Sequence, residues 1–243
     1  MSHISPTFSP LYRQIRGLIL QALEAGEWRP GQVIPSEQEL AARFNVSQGT
    51  VRKAIDEMAA DNILVRRQGR GTYVASHTDP RQMFRFLRLV PEEGKLLTHP
   101  KSIPSDCWRA KAGQEAARML AIEPGAPIII LRRVLQFGGK PVVADEIYLP
   151  EDIYQGLNME MLQAWNSSLY SLFETRFGLR MIRAQERIRA VAADRAAAEM
   201  LKISEGTPLL SVERVTYTYG DKPVEWRRGV YLTEGHYYLN DLT

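Results

Sequence analysis

Residues 36–59 read Ser36-Glu37-Gln38-Glu39-Leu40-Ala41-Ala42-Arg43-Phe44-Asn45-Val46-Ser47-Gln48-Gly49-Thr50-Val51-Arg52-Lys53-Ala54-Ile55-Asp56-Glu57-Met58-Ala59, and the fold of the N-terminal third follows from them. Ser36 and Glu39 stand at capping-box spacing, where each side chain satisfies a free backbone N–H of the other. A helix therefore opens at Ser36, with Leu40, Ala41 and Phe44 on its apolar face. Asn45-Val46-Ser47 is a three-residue turn, and Ser47 is placed to cap the next helix. In that helix Val51, Ala54, Ile55, Met58 and Ala59 recur at the spacing of one buried stripe. Gln48, Gly49, Arg52 and Lys53 fall on the opposite side, at its N-terminal end. Two helices joined by a short turn, the second presenting polar residues at its start, form the geometry that enters a DNA major groove. An ordinary small helical bundle with a polar face shares the spacing.

Working outward, Ser9 is the expected cap of a preceding helix, with Pro10 at its first position. Leu11, Ile15, Leu18, Ile19, Ala22 and Leu23 give that helix its periodicity, Gly26 ends it, and Trp28-Arg29-Pro30-Gly31 turns the chain. Downstream, Ile63 to Arg67 and Thr72 to Val74 read as two short strands around Gln68-Gly69-Arg70-Gly71. A glycine-bearing tip between strands is a wing that can approach DNA closely, because glycine has no side chain to clash. Across residues 66–88 stand Arg66, Arg67, Arg70, Arg81, Arg85 and Arg88 against Asp79 alone. That cluster suits a phosphate backbone, and equally a solvated loop.

Composition narrows the class. The 243 residues are 44% hydrophobic and 24% charged, enough for real cores and too mixed for disorder. With 31 Lys and Arg against 28 Asp and Glu, the net charge of +3 names no partner by itself. Cys107 is the lone cysteine, so no internal disulfide forms; with His3, His77, His99 and His236 widely scattered, no metal site or cofactor is expected. Apolar runs such as 126–131 are far shorter than a bilayer requires, which leads us to expect a soluble cytoplasmic protein with no membrane partner.

Residues 76–83 are polar, contain Pro80 and lack periodicity, so they read as a linker between a domain at 1–75 and another at 84–243. The second domain repeats itself. Ala116-Ala117-Arg118-Met119-Leu120-Ala121-Ile122-Glu123-Pro124-Gly125-Ala126-Pro127 aligns with Ala197-Ala198-Glu199-Met200-Leu201-Lys202-Ile203-Ser204-Glu205-Gly206-Thr207-Pro208, every residue 81 positions on. The offset holds from Arg133-Val134 to Arg214-Val215 and becomes 82 from Lys140-Pro141-Val142 to Lys222-Pro223-Val224. Each unit reads as a short helix, a break, a long strand, a two-residue turn and a return strand. The turns are Gly138-Gly139 and Gly220-Asp221, both suited to positive φ. Between the units, Ser168 to Phe177 reads as a helix; Ile182, Ala184, Glu186, Ile188 and Ala190 read as one face of a strand. The second domain is therefore α+β, an antiparallel sheet with packed helices and a pseudo-twofold axis. A ligand cleft between the halves is the functional reading, and duplication for folding alone is the plainer one.

These residues resemble a known family. Gly26 to Glu37, Leu40-Ala41, Val46-Ser47, Thr50 to Ala54 and the Gly69-Arg70-Gly71-Thr72-Tyr73-Val74 wing look like the winged helix-turn-helix of GntR-type bacterial transcription regulators. The resemblance places phosphate and base contacts at Ser36, Ser47, Thr50, Arg52 and Gly69, with Gln48 and Gly49 on the same helix end and Gln68 and Arg70 beside Gly69 at the wing tip. Gln38 and Gln48 depart from it, standing where many members have Arg. Glutamine favours adenine where arginine favours guanine, so the operator core is expected to differ.

The second domain is similar to the UTRA effector-binding domain of the family's HutC branch, whose fold resembles chorismate lyase. The matching residues are Gly125-Ala126-Pro127, Arg133, Gly139 to Val142, Tyr148-Leu149-Pro150, Ser168-Leu169-Tyr170, Gly206-Thr207-Pro208, Glu213-Arg214-Val215 and Pro223-Val224-Glu225 with Tyr231. The resemblance implies effector contacts at Arg133, Asp145, Ser168, Glu225 and Tyr231. Leu135 replaces a second arginine of many members, and residues 232–238 replace a basic stretch. That favours a weakly charged, aromatic or amino-bearing metabolite over a sugar phosphate, unless Arg132, Arg227 or Arg228 substitutes. The function implied is a ligand-responsive repressor that binds an inverted-repeat operator in double-stranded DNA as a homodimer and is released by a small molecule. An enzyme of the same fold and an effector-independent DNA binder are the alternatives. No catalytic residue is expected, since no nucleophile–base pair or phosphate loop is recognisable.

Overall fold

The computed structural model describes residues 9–80, 82–92 and 100–240. The chain divides into two compact units, Met1–Asp79 and Pro80–Thr243.

In the first unit, α1 spans Leu11–Glu24 and buries Ile15, Ile19, Ala22 and Leu23. Its N-cap is Pro10 rather than the expected Ser9, because Arg13 and Gln14 both donate their backbone N–H to the Pro10 carbonyl. Helix α2, Glu37–Phe44, opens with the capping box: Ser36 N–H donates to Glu39 Oε2 over 2.8 Å, and Glu39 N–H donates to Ser36 Oγ over 3.3 Å. Asn45 ends it in the left-handed region with φ 53°, a conformation Asn tolerates better than most residues. Helix α3, Gln48–Ala60, is capped by Ser47 and buries Val51, Ala54, Ile55 and Met58. Strands β1 (Leu64–Arg67) and β2 (Gly71–Val74) pair antiparallel around the tip 68–70. Gly69 and Gly71 both have positive φ, which the tight tip requires. Periodicity did not reveal that residues 31–34 add a third run to this ribbon. Gly31 N–H donates to the Val74 carbonyl, Ile34 N–H to Thr72, and Val74 N–H to Gln32.

In the second unit, β3 (Leu89–Pro91), β4 (Lys101–Lys111), α4 (Gln114–Leu120), β5 (Pro127–Phe137) and β6 (Lys140–Pro150) come first. Then follow α5 (Met159–Ala164), α6 (Leu169–Phe177), β7 (Arg183–Ala192), α7 (Arg195–Leu201), β8 (Pro208–Tyr217), β9 (Pro223–Leu232) and β10 (His236–Tyr238). Six strands form one antiparallel sheet in the order β4-β5-β6-β9-β8-β7, and β3 pairs separately with β10. The order is a palindrome about the β6–β9 pair, as two copies of strand–helix–strand–strand require. Helix α4 at 114–120 maps onto α7 at 195–201 with the offset of 81. The repeat also reaches back to β4 and β7, whose residues share no pattern; the alternation at 182–190 marks β7 in the sequence, whereas nothing there marks β4. Both hairpin turns take positive φ at Gly138, Gly139, Gly220 and Asp221, as their residue types suggested.

Helices α4 and α7 cover one face of the sheet, Ala116, Ala117 and Leu120 packing with Val215 and Trp226, and Ala197 and Leu201 with Ala144 and Leu209. Helices α5 and α6 cover the other, with Leu162, Leu172 and Phe173 against Ile129, Leu131, Ile147 and Leu149. Strand β7 is an edge, so Ile188 is 44% exposed and the alternation read from the sequence buries little there. Among the described residues no helix is long and apolar enough to cross a membrane, and no cluster of His, Cys, Asp and Glu could hold a metal ion.

Gly229 sits on β9 directly opposite Asp145 of β6. A Cβ there would lie 2.6 Å from the Tyr231 ring and 2.7 Å from Asp145 Oδ1, both on buried residues. Gly229→Ala should therefore cost about 1–3 kcal/mol, the range of core overpacking, measured as a lowered urea midpoint with unchanged slope.

Candidate functional site

Each unit carries a cluster of polar side chains placed by its secondary structure. In the first, capping turns Ser36 and Ser47 to the surface at the starts of α2 and α3. Gln38, Gln48, Gly49 and Arg52 are exposed, as are Gln68, Gly69 and Arg70 at the wing tip. Thr50 is half-buried, its Oγ1 2.8 Å from Ser47 Oγ. One carboxylate ties these elements together. Glu37 accepts from Gln48 Nε2 over 3.3 Å, from Arg52 Nε over 2.9 Å and from an Arg66 NH2 over 2.9 Å. Arg66 also reaches Asp56 at 2.7 Å, which links β1 to α3. Burial works to raise the Glu37 pKa, but hydrogen bonds from Arg66 and then Arg52 prevail and hold it below 4.5. Glu37 escaped the sequence reading because only the fold brings positions 37, 48, 52 and 66 together. Lys53 lies over the Tyr12 ring at 4.1 Å and Arg67 over Tyr73 at 4.5 Å.

In the second unit, strand register builds a row of alternating charges beneath α6. Arg133 on β5 faces Asp145 on β6, and its Nε and one NH2 both donate to Asp145 Oδ2 over 3.0 Å. Arg227 on β9 donates to the same oxygen over 3.2 Å and to Glu225 over 3.1 and 2.9 Å. Tyr170 of α6 donates its hydroxyl to Glu225 over 2.9 Å. Arg214 on β8, cross-strand from Arg227, pairs with Glu186 and donates to the Phe86 carbonyl. Burial, then the nearby Arg227 charge, lowers the Arg133 pKa; the surrounding carboxylates and tyrosines raise that of Arg227 well above its ordinary value despite burial.

Above this row lies a recess of about 470 Å³, counting its solvent-open mouth. Arg133, Arg214, Arg227, Ser102, Ser168 and Tyr170 supply its polar walls. Its apolar wall includes Met83, Phe84, Phe86 and Leu87, a segment that begins just after the boundary between the units.

Residues 11–74 match the family described as "Bacterial regulatory proteins, gntR family", and residues 98–236 match the UTRA domain. The chain belongs to the GntR family. It is 32% identical over 217 residues to the "Probable fructoselysine utilization operon transcriptional repressor" of Escherichia coli, covering 88% of this chain and 87% of that one. It is 26% identical over 233 residues to the "Histidine utilization repressor" of Pseudomonas putida, covering 94% and 90%. The crystal structure of the ligand-binding domain of a GntR-family regulator from Bordetella bronchiseptica matches with a TM-score of 0.65 and 43% identity, over 66% of this chain and 99% of that one. This GntR protein is accordingly a ligand-responsive transcriptional repressor of the HutC type and not an enzyme.

Of the effector contacts implied for this GntR protein, the structure puts Arg133 and Ser168 on the recess wall. Asp145 and Glu225 lie behind the arginines with no side-chain exposure. Tyr231 packs among Leu135, Val143 and Val212, where burial pushes its hydroxyl up to about 12. Of the three possible substitute arginines, only Arg227 faces the recess; Arg132 pairs with Glu146, and Arg228 lies over Trp226 at 5.9 Å. Arg214 was absent from the expected set, although the repeat had already aligned it with Arg133.

Because Glu37 is depressed in the folded state, its contribution is complete above about 4.5 and is lost as pH falls through its folded value. Unfolding free energies of wild type and Glu37→Gln from urea titration should therefore differ by no more than about 1 kcal/mol at neutral pH, since the pairs are partly exposed, and converge in acid. Curves that stay parallel into acid would refute the Glu37 assignment.

Proposed function

We propose that this repressor acts as a homodimer in the bacterial cytoplasm, binding an inverted-repeat operator and leaving it when a small metabolite enters the recess of the second unit. Supporting the dimer is the shortness of α3, which reaches only a few base pairs, so twofold pairing is needed for useful affinity. In this reading α3 enters the major groove with Gln48, Gly49, Thr50 and Arg52 toward the bases. Gln38 at the start of α2 joins Gln48 toward the operator core, Ser36 and Ser47 contact the backbone, and Gln68, Gly69 and Arg70 follow it along the wing. The related "utilization" repressors support a nutrient or its breakdown product as the signal.

The observation that carries the switch is the wall at Met83–Leu87. Met83, Phe84, Phe86 and Leu87 line the recess and follow Asp79, the last residue of the first unit, by four to eight positions, so a ligand that orders or displaces them acts close to the connection. Such a ligand shifts operator affinity only if it binds the two arrangements unequally, and about 5–150-fold is the expected scale.

Operator titration tests the reading. Arg52→Ala should weaken specific binding by about 1–3 kcal/mol, and Gln48→Arg should move one base preference per half-site from adenine to guanine. Selection of duplexes from a random pool reads both outcomes; identical selected sites for wild type and Gln48→Arg would remove Gln48 from base reading.

A further inference from the structure

The walls of the recess say what kind of molecule it takes. We propose that the ligand is an amphipathic monocarboxylate, one carboxylate on an apolar ring or alkyl body; this rests on the recess being the effector site.

Its polar described lining consists of guanidiniums and hydroxyls: Arg133, Arg214 and Arg227, with Ser102, Ser167, Ser168 and Tyr170. No carboxylate, amide or imidazole is among the described lining residues. An amine would find no counter-charge there, because Asp145 and Glu225 have no exposed side-chain surface and lie behind the arginines that they neutralise. A polyol would turn its hydroxyls toward Phe84, Phe86, Leu87, Leu135 and Leu169, where they lose water and gain no partner.

Charge then separates a carboxylate from a phosphate ester. The three arginines are matched by Asp145, Glu225 and Glu186. A carboxylate adds one negative charge to this balanced cluster, whereas a phosphate monoester adds nearly two, at greater cost in a dry site. The arginines still have donors for one anion. Arg133 spends Nε and one NH2 on Asp145, and its other NH2 makes only a long 3.4 Å contact with Ser102 Oγ. Arg214 spends Nε on Glu186 and one NH2 on the Phe86 carbonyl. One such donor suffices for a charge-assisted hydrogen bond to a carboxylate.

The test uses the full-length chain and calorimetric titration of hexanoate and 3-phenylpropionate, against hexylamine and 3-phenylpropylamine with the same bodies, glucose and glucose 6-phosphate. At least one carboxylate should bind about tenfold or more tighter than its matched amine and than either sugar. Ser102→Phe, which fills the recess from the edge strand, should abolish that binding while leaving the melting temperature near wild type. Ser167→Arg, which adds one positive charge at a partly exposed position of the lining, should raise the affinity for glucose 6-phosphate about tenfold relative to hexanoate. Tightest binding by an amine or sugar, or no binding by either carboxylate, overturns the ligand class. Loss of that other binding in Ser102→Phe would still leave the recess standing as the effector site. Carboxylate binding that survives Ser102→Phe overturns the site and the class together. Unchanged relative affinity in Ser167→Arg overturns the charge argument.

Discussion

The second unit depends on a charge row that crosses from one half of the sheet to the other, Arg133–Asp145–Arg227–Glu225. Charges this deeply buried are costly unless every one is paired and hydrogen-bonded. Asp145 comes from the first repeat and Arg227 from the second, so their contact is satisfied in one alignment of β6 with β9. A slip of one residue would leave Asp145 and Arg227 on opposite faces of the sheet, each a buried charge without its partner. The row therefore sets the register of the central strand pair, and Gly229 is the small residue that lets Asp145 and Tyr231 share the space beside it.

The same row explains the chemical character of the recess. Two carboxylates at its floor fix the arginines in place, and the arginines in turn screen those carboxylates from any ligand. The site thus presents rigid donors without the entropy cost of ordering long side chains upon binding. The first unit uses a lighter form of the same arrangement, since Glu37 gathers Gln48, Arg52 and Arg66 from three elements. These pairs are solvent-exposed, so they position side chains and contribute little stability.

Much of this was legible in the residues. Capping at Ser36 and Ser47, the buried stripe of α3 and the glycines of the wing are local signals, and each formed where its spacing put it. Repetition at offsets of 81 and 82 disclosed helices α4 and α7 and the two hairpins of the second unit, and Ser168 to Phe177 marked α6, while α5 carried no signal. What stayed hidden was non-local or lacked a residue pattern: the run at 31–34 held by backbone hydrogen bonds, strand β4, and the Met83–Leu87 wall. The ligand residues divide the same way. The family resemblance puts Arg133 and Asp145 on one list, and the strands place both on the same face; only the pairing with Arg133 and Arg227 covers Asp145 and leaves Arg133 on the recess wall.

The offset of 82 makes Asp145 and Arg227 equivalent positions of the two halves, and Glu146 and Arg228, cross-strand partners at the centre of the sheet, are equivalent as well. Two identical halves would meet there with carboxylate against carboxylate or guanidinium against guanidinium. The two copies therefore had to diverge in sign at these positions for the sheet to close. That divergence gives the recess a polarity that its backbone lacks. The two ends of the recess accordingly differ, with Arg133 backed by Asp145 at one and the Arg214–Arg227 pair at the other.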